Sequence, residues 1–251
     1  MGKAIYGRFF METMETTVNT VNYGLKIAEL SGGIKFGTDS LLLSHFCPSA
    51  PDCADLGAGS GTIGLLLLAS GKVKSVKGVE IKPEYARLAE ENARLNGFGS
   101  VYSCDCADVC SVRGVLPAGS CSLCVSNPPY LPAGSGIENP KGLRHAAFHE
   151  TTADINAFCA AASYLLKYGG RFCCVYRPEY IARLISAAQT NGLALKRLRF
   201  VHPDISSPPS LVLAEMRKGG GNGVSVMRPL VIYTDESHKE YTKEMLDIVS
   251  A

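Results

Sequence analysis

The sequence predicts an α/β fold in which a mainly parallel sheet is covered by helices on both faces. Three observations predict it. From Cys53 onward, short apolar runs alternate with helical segments, the pattern of parallel strands joined by crossover helices. The first crossover is a glycine-rich turn, Gly57 to Gly61, that leads from a strand directly into a helix. Of 251 residues, 46% are hydrophobic and 19% charged, which supplies a core and is too weakly charged for disorder. At about 150 residues per domain the length corresponds to roughly 1.7 domains, or one large α/β domain with appendages.

Residues 1–20 are polar and patternless, with Met11 and Met14 as alternative starts, and are expected to form a flexible extension before a single domain over 21–251. A hairpin-like stretch follows, Leu25 to Ala28 and Ile34 to Phe36, around Ser31-Gly32-Gly33. Thr38 or Asp39 offers an N-cap to a short apolar helix, Ser40 to Phe46. Cys53 to Leu56 reads as a strand, Thr62 to Ser70 as an apolar helix, and Val76 to Ile81 as the next strand. Pro83 opens a helix with Tyr85, Leu88, Asn92 and Leu95 on one side, closed by Gly97. Val101 to Cys106 and Ser120 to Val125 are the third and fourth strands. Asp154 to Tyr168 reads as a helix stopped by Gly169-Gly170, and Arg171 to Tyr176 as the fifth strand. A helix over Tyr180 to Thr190, strands over Leu193 to Val201, Leu211 to Arg217 and Val224 to Tyr233, and a helix over Ser237 to Val249 complete the chain. Ligands bind outside the carboxyl ends of parallel strands, which selects the turns after Asp55, Ile81 and Val125.

A net charge of +2 and a pI near 8.0 fall short of a non-specific nucleic-acid binder, so contact with nucleic acid requires a local basic patch. Ten cysteines are too few for a secreted disulfide framework, and Cys104, Cys106, Cys121, Cys124, Cys173 and Cys174 sit on expected strands. They read as reduced core thiols without disulfide partners. Cys121 and Cys124 form a lone C-x-x-C that strand alternation would put on opposite faces, and His145 and His149 lack metal-ligand spacing, so no metal is expected. The longest apolar run, Ile63 to Ala69, is too short to span a bilayer, and Met1 to Asn22 lacks a signal-peptide core, so a cytoplasmic protein without membrane contact is expected.

Asp55-Leu56-Gly57-Ala58-Gly59-Ser60-Gly61-Thr62 carries the first chemistry. Its glycines let the backbone approach a ligand closely. Gly59 to Gly64 also matches G-x-G-x-x-G, but Asp55 stands where a pyrophosphate would meet an anion, so a cationic ligand is favoured over a dinucleotide. Glu80, in Gly78-Val79-Glu80-Ile81, is placed to accept the two hydroxyls of a ribose. Asp108 is a candidate acceptor for an adenine amino group, with Asp105 as its rival. The most specific signal is Ser126-Asn127-Pro128-Pro129-Tyr130, where two prolines stiffen a loop that presents fixed carbonyls.

Together the Asp55 to Thr62 loop, Glu80 and Asn127 to Tyr130 resemble a class I S-adenosylmethionine-dependent methyltransferase acting on an amide or amino nitrogen. Phe36-Gly37-Thr38-Asp39 is similar to the Phe-Gly-Thr-Asp segment of the bacterial valine-tRNA adenine-N6-methyltransferases, which closes over the cofactor. Arg171 to Pro178 and Lys196 to Pro203 also resemble that family, so the likeness runs over residues 20–249 in order. The departures are the unmatched N-terminus and Phe148, where the family's pattern has arginine. The resemblance implies a Rossmann-like, mainly parallel seven-stranded sheet with an antiparallel C-terminal strand. It also implies S-adenosylmethionine held by Phe36, Gly37, Thr38, Asp39, Asp55, Gly57, Gly59, Gly61, Thr62, Glu80, Ile81, Asp108 and Asn127. Catalysis then falls to Asn127, Pro128, Pro129 and Tyr130, on an adenosine 3′ of the anticodon in the anticodon loop of a valine tRNA.

In such a mechanism the Asn127 side-chain oxygen and the Pro128 carbonyl accept the amino hydrogens of the base, and Tyr130 stacks on it. Arg113, Lys141, Arg144, Arg177, Lys196, Arg197 and Arg199 are candidate phosphate contacts. The nearest rival is a glutamine-N5 methyltransferase of release factors, whose helical domain ahead of the cofactor loop has no counterpart in the fifty or so residues before Asp55. Other RNA or DNA amino-methyltransferases, a nicotinamide-dependent oxidoreductase and a non-catalytic RNA-binding relic are the remaining alternatives.

Overall fold

A hairpin opens the described part of the chain. Strand β1 (Thr16–Val21) pairs antiparallel with β2 (Leu25–Leu30), Thr16 opposite Leu30 and Val21 opposite Leu25. The computed structural model describes residues 16–33, 37–129 and 153–251. The partner of Leu25–Leu30 is therefore Thr16–Val21, most of which the sequence reading placed in a flexible extension. With four exposed residues in its middle, β1 shows no buried-and-exposed alternation, and its β-branched residues are held in a strand by pairing with β2. The expected pairing segment Ile34 to Phe36 lies outside the described residues.

Helix α1 (Thr38–Phe46) begins two residues earlier than expected, with Gly37 as its N-cap and no side-chain capping bond, so Thr38 and Asp39 stand in its first turn. Next come β3 (Cys53–Leu56), α2 (Thr62–Ala69), β4 (Val76–Glu80), α3 (Pro83–Leu95) and β5 (Tyr102–Cys106). Then follow β6 (Cys121–Ser126), α4 (Ile155–Leu165), β7 (Leu166–Tyr176), α5 (Ile181–Thr190), β8 (Leu193–His202) and β9 (Leu211–Lys218). Two short edge strands, β10 (Ser225–Val226) and β11 (Leu230–Val231), precede helix α6 (Lys243–Val249).

Seven strands form the body of the sheet in the order β8-β9-β7-β6-β3-β4-β5, and β10 and β11 add to the free side of β8. Neighbours are parallel except at β9, which is antiparallel to both β7 and β8. The expected sheet, with its antiparallel strand near the C-terminus, is what forms. Alternation sorts each strand onto two cores: Cys173 and Val175 face α1, α2 and α6, while Phe172, Cys174 and Tyr176 face α4 and α5. Helix α2 is apolar all round and wholly buried from Thr62 to Leu68, as a helix enclosed on every side must be.

Three expectations need correction. Helix α4 stops at Leu165, and Gly169-Gly170 falls within β7 instead of ending a helix. The β6–β7 register explains this: Cys121 faces Leu166 but Leu123 faces Arg171, so β7 bulges over the glycine pair, with Gly169 at φ 79°. Cys121, the first residue of β6, lies on the side of Cys124 despite strand alternation. Their sulfurs lie 3.4 Å apart in one core as free thiols, not on opposite faces. Helix α6 is shorter than expected, because residues 233–241 close a turn through the Tyr233–Tyr241 bridge and Thr242 caps the helix.

Candidate functional site

The carboxyl ends of β3, β4 and β6 lie side by side, and the turns that leave them carry the residues singled out in the sequence. After β3 the chain crosses the loop Gly57 to Gly61, where Gly57, Gly59 and Gly61 all have positive φ. At Gly61 a side chain is excluded twice: φ is +83°, and a Cβ would lie 2.8 Å from the Tyr102 hydroxyl and 3.0 Å from the Ala89 Cβ. Gly64 serves a different end. A Cβ there would lie 2.8 Å from Val76 and 2.9 Å from the Tyr102 ring, so its absence lets α2 sit close on the sheet.

Glu80 is buried at the end of β4, and both its oxygens hold backbone. Oε2 accepts from Gly59 N at 2.9 Å and Oε1 from Lys82 N at 3.0 Å, which fixes the glycine loop against the following turn. A carboxylate has about four lone-pair positions, so acceptor capacity remains for a diol. Ile81 follows directly, half-buried.

Asp55 departs from the sequence picture of a carboxylate displayed beside a ligand. It is 0% exposed and lies beneath the loop, where Oδ2 accepts from Gly64 N at 3.1 Å. Its Oδ1 and the Tyr102 hydroxyl are both buried with no hydrogen-bond partner among the described residues. Burial pushes the Asp55 carboxyl up to about 7; the Gly64 bond opposes that rise and the negative charge of Glu80 adds to it. Burial, then Asp55 itself, raise Tyr102 well above an ordinary phenol.

Asp108 follows β5 and acts as an N-cap, accepting from Cys110 N at 2.8 Å, while the Ala107 amide donates to the Glu80 carbonyl at 2.9 Å. Asp108 is thereby held next to Glu80. Its rival Asp105 lies within β5 opposite Val79, one residue before the strand's last position.

After β6, the buried Ser126 hydroxyl donates to the Leu56 carbonyl at 2.7 Å. That bond brings Asn127, half-buried, and the buried Pro128 and half-buried Pro129 alongside the start of the glycine loop. Thr62 opens α2, its hydroxyl 2.8 Å from that of Ser60. Phe36, Tyr130, Lys141, Arg144, His145, Phe148 and His149 lie outside the described residues. Sequence reasoning gave Ser126 no role of its own and did not single out Tyr102, nor Asn92, whose side-chain amide donates to the Ser60 carbonyl in the glycine loop at 2.9 Å. Ser126 directly precedes the motif, but nothing local marks Tyr102 or Asn92 as neighbours of the loop.

The basic patch expected from Arg197 and Arg199 does not form. Arg199 is buried, paired with Glu244 at 2.6 Å and donating to the Arg228 carbonyl. Arg197 stacks on Phe46 at 4.1 Å and pairs with Glu215 at 2.8 Å. Lys196 donates to the carbonyls of Gly221 and Gly223, Arg177 to that of Ser210, and Arg113 lies over the Tyr164 ring. Among the described residues no cluster of His, Cys, Asp or Glu could hold a metal, and no helix is long and apolar enough to cross a membrane.

Residues 31–188 match the methyltransferase small domain family. The chain is 29% identical over 212 residues to a tRNA1(Val) (adenine(37)-N6)-methyltransferase of Dickeya chrysanthemi, covering 82% of this chain and 83% of that one. It is 30% identical to the enzyme of the same name from Porphyromonas gingivalis, covering 73% and 74%. Among solved structures it resembles an Agrobacterium tumefaciens protein described as a predicted O-methyltransferase, with a TM-score of 0.67 and 23% identity over 84% of this chain and 94% of that one. It also resembles a Streptomyces coelicolor geranyl diphosphate C-methyltransferase solved with S-adenosyl-L-homocysteine, with a TM-score of 0.51 and 14% identity over 71% and 78%.

Proposed function

Because the chain belongs to the methyltransferase small domain family, we propose that it transfers a methyl group from S-adenosylmethionine to the exocyclic N6 of an adenine in tRNA. The observation that carries this reading is the seating of the Asn127-Pro128-Pro129 turn beside the glycine loop through Ser126 and Leu56. The names of these relatives favour adenine 37 of a valine tRNA as the target, and we assign that position to the anticodon loop. We read the hairpin through α6 as one catalytic domain.

When bound, S-adenosylmethionine supplies a methyl group made electrophilic by its sulfonium. The residues present fit such a group. Glu80 keeps acceptor positions for a ribose, the glycine loop admits close approach, and Asp55 sets an ionisable carboxyl beneath a site for a cation. Asp108, Ile81 and the Gly37-Thr38-Asp39 start of α1 complete the proposed cofactor contacts, with Phe36 assigned from the sequence motif.

An adenine amino nitrogen is a poor nucleophile because its lone pair is delocalised into the ring. The Asn127 side-chain oxygen and the Pro128 carbonyl accept its two hydrogens, which favours a pyramidal nitrogen with its lone pair aimed at the methyl group. Pro129 stiffens the turn and Tyr130 stacks on the extruded base. The proton leaves for water, since the methylated ammonium is strongly acidic.

The test is transfer of labelled methyl from S-adenosylmethionine to unmodified total tRNA, with rRNA, DNA and a release factor as competitors, followed by nucleoside mass spectrometry. N6-methyladenosine in the anticodon loop is the expected product. Methylated glutamine, N2-methylguanosine or N6-methyladenine confined to DNA would overturn the substrate assignment.

A further inference from the structure

Asn92 and Asn96 lie one turn apart on α3 and its C-terminal cap, on the side that meets the hairpin. Strand β2 pairs with β1 along one edge only, which leaves the backbone groups of Lys26 and Ala28 directed away from β1. The two carboxamides take the place of a further strand. Lys26 N donates to Asn96 Oδ1 at 2.8 Å while Asn96 Nδ2 donates to the Lys26 carbonyl at 2.8 Å. Two residues on, Ala28 N donates to Asn92 Oδ1 at 2.8 Å and Asn92 Nδ2 donates to the Ala28 carbonyl at 3.0 Å. A primary amide is a peptide group on a short stalk, so it satisfies a strand edge with the same donor and acceptor that a strand would.

The two asparagines then differ. The second amide hydrogen of Asn96 goes to the Asn92 carbonyl within its own helix. That of Asn92 goes to the Ser60 carbonyl at 2.9 Å, between Gly59 and Gly61 in the glycine loop. Asn92 is 0% exposed, and each of its polar hydrogens is used. Glycine-flanked backbone has many accessible conformations, and the Asn92 bond restricts the direction of the Ser60 carbonyl. The hairpin bound by Asn92 lies ahead of residues 31–188, the part that matches the family, and its chain continues toward Gly37 at the start of α1.

We propose that Asn92 is a positioning residue for the cofactor: one amide hydrogen fixes the glycine loop through Ser60 while the rest of the carboxamide locks the β1–β2 hairpin, so loop shape and hairpin docking are coupled. This rests on the reading of the loop as the S-adenosylmethionine site. By linkage, whatever stabilises the loop also stabilises the docked hairpin.

The experiment compares the unmodified protein with Asn92→Asp and Asn96→Ser, measuring KM for S-adenosylmethionine, KM for tRNA, kcat and S-adenosylmethionine binding by calorimetry. Asn92→Asp keeps the acceptor toward Ala28 N but sets an oxygen against two carbonyls. It is expected to raise KM and Kd for S-adenosylmethionine about 10- to 100-fold, with KM for tRNA and kcat changed less than about threefold. Asn96→Ser, which weakens one hairpin contact without touching Ser60, is expected to lower thermal stability and, through the coupling, to raise that Kd only about two- to threefold, less than Asn92→Asp does. A second measurement needs no variant: saturating S-adenosylmethionine should slow hydrogen exchange over residues 25–30 of the unmodified protein. Unchanged exchange there, an unchanged Kd in a folded Asn92→Asp, or an equal loss in Asn96→Ser would each overturn the inference. Failure of the unmodified protein to bind S-adenosylmethionine would remove the cofactor reading, and this inference with it.

Discussion

The Ser126 hydroxyl donates to the Leu56 carbonyl at 2.7 Å, joining two residues seventy positions apart at the ends of adjacent parallel strands. Leu56 is the last residue before the glycine loop and Ser126 the last before Asn127, so one buried bond fixes the spacing between the proposed methyl donor site and the proposed amino-group acceptors. A strand end alone leaves that spacing free, because ladder hydrogen bonds stop at Asp55 opposite Val125.

Removing that bond should therefore affect both stability and rate. Ser126→Ala leaves the Leu56 carbonyl buried without this partner and should cost about 1–3 kcal/mol in denaturant unfolding. If the bond sets alignment, kcat falls while Kd for S-adenosylmethionine stays nearly constant. A loss of stability with unchanged kcat would confine Ser126 to a structural role.

Asn127 is expected to act in the transition state. Asn127→Ala should lower turnover by about 10²- to 10³-fold, the usual loss on removing one preorganised hydrogen-bonding group. Calorimetry should find S-adenosylmethionine binding within a few-fold of normal. Near-normal turnover would contradict the mechanism.

The buried Asp55 predicts a pH dependence with a definite sign. Its carboxyl titrates near 7 in the folded chain, above its ordinary value of 3.8, so the stability linked to its proton is fully present below about pH 4 and is lost as pH rises through 7. Binding of a cationic ligand favours the ionised form. Affinity for S-adenosylmethionine should accordingly rise up to about tenfold between pH 6 and 8, one pKa unit being a factor of ten. Asp55→Asn should flatten both profiles, and a slope that persists in this variant would assign the titration to another group.

Thiol reactivity should divide the ten cysteines by depth. Cys106 and Cys110 are exposed, whereas Cys53, Cys124, Cys173 and Cys174 are buried and their thiols raised by burial first. Native protein should give two fast equivalents with a thiol reagent, and ten after denaturation without reductant. Fewer than ten would reveal a disulfide.

If tRNA is held through phosphates, activity at subsaturating tRNA should fall steeply with added salt, since each neutralised phosphate releases a counterion. Arg197→Ala and Arg199→Ala should act mainly through stability, because both side chains are engaged within the protein. A salt slope reduced in either variant, with unfolding unchanged, would restore them as phosphate contacts.

The alternation of strands and helices, the glycine turn after Asp55, the carboxylate ending β4 and the proline-stiffened turn after β6 are legible in the amino-acid sequence alone. Each is written locally: in apolar periodicity, in residues that tolerate positive φ, or in backbone without N–H groups. The sequence did not show that Asp55 is enclosed, that Cys121 and Cys124 meet, or that Arg197 and Arg199 turn inward, because burial, bulges and ion pairs depend on which segments become neighbours. Thr16–Val21 carries a local strand signal in five β-branched residues of six, but its place beside β2 is decided by pairing across the hairpin. Only the tertiary structure placed Ser126 on Leu56, Tyr102 beneath Gly61 and Asn92 between Ala28 and Ser60, since those contacts join strands, helix and loop that local sequence patterns do not relate.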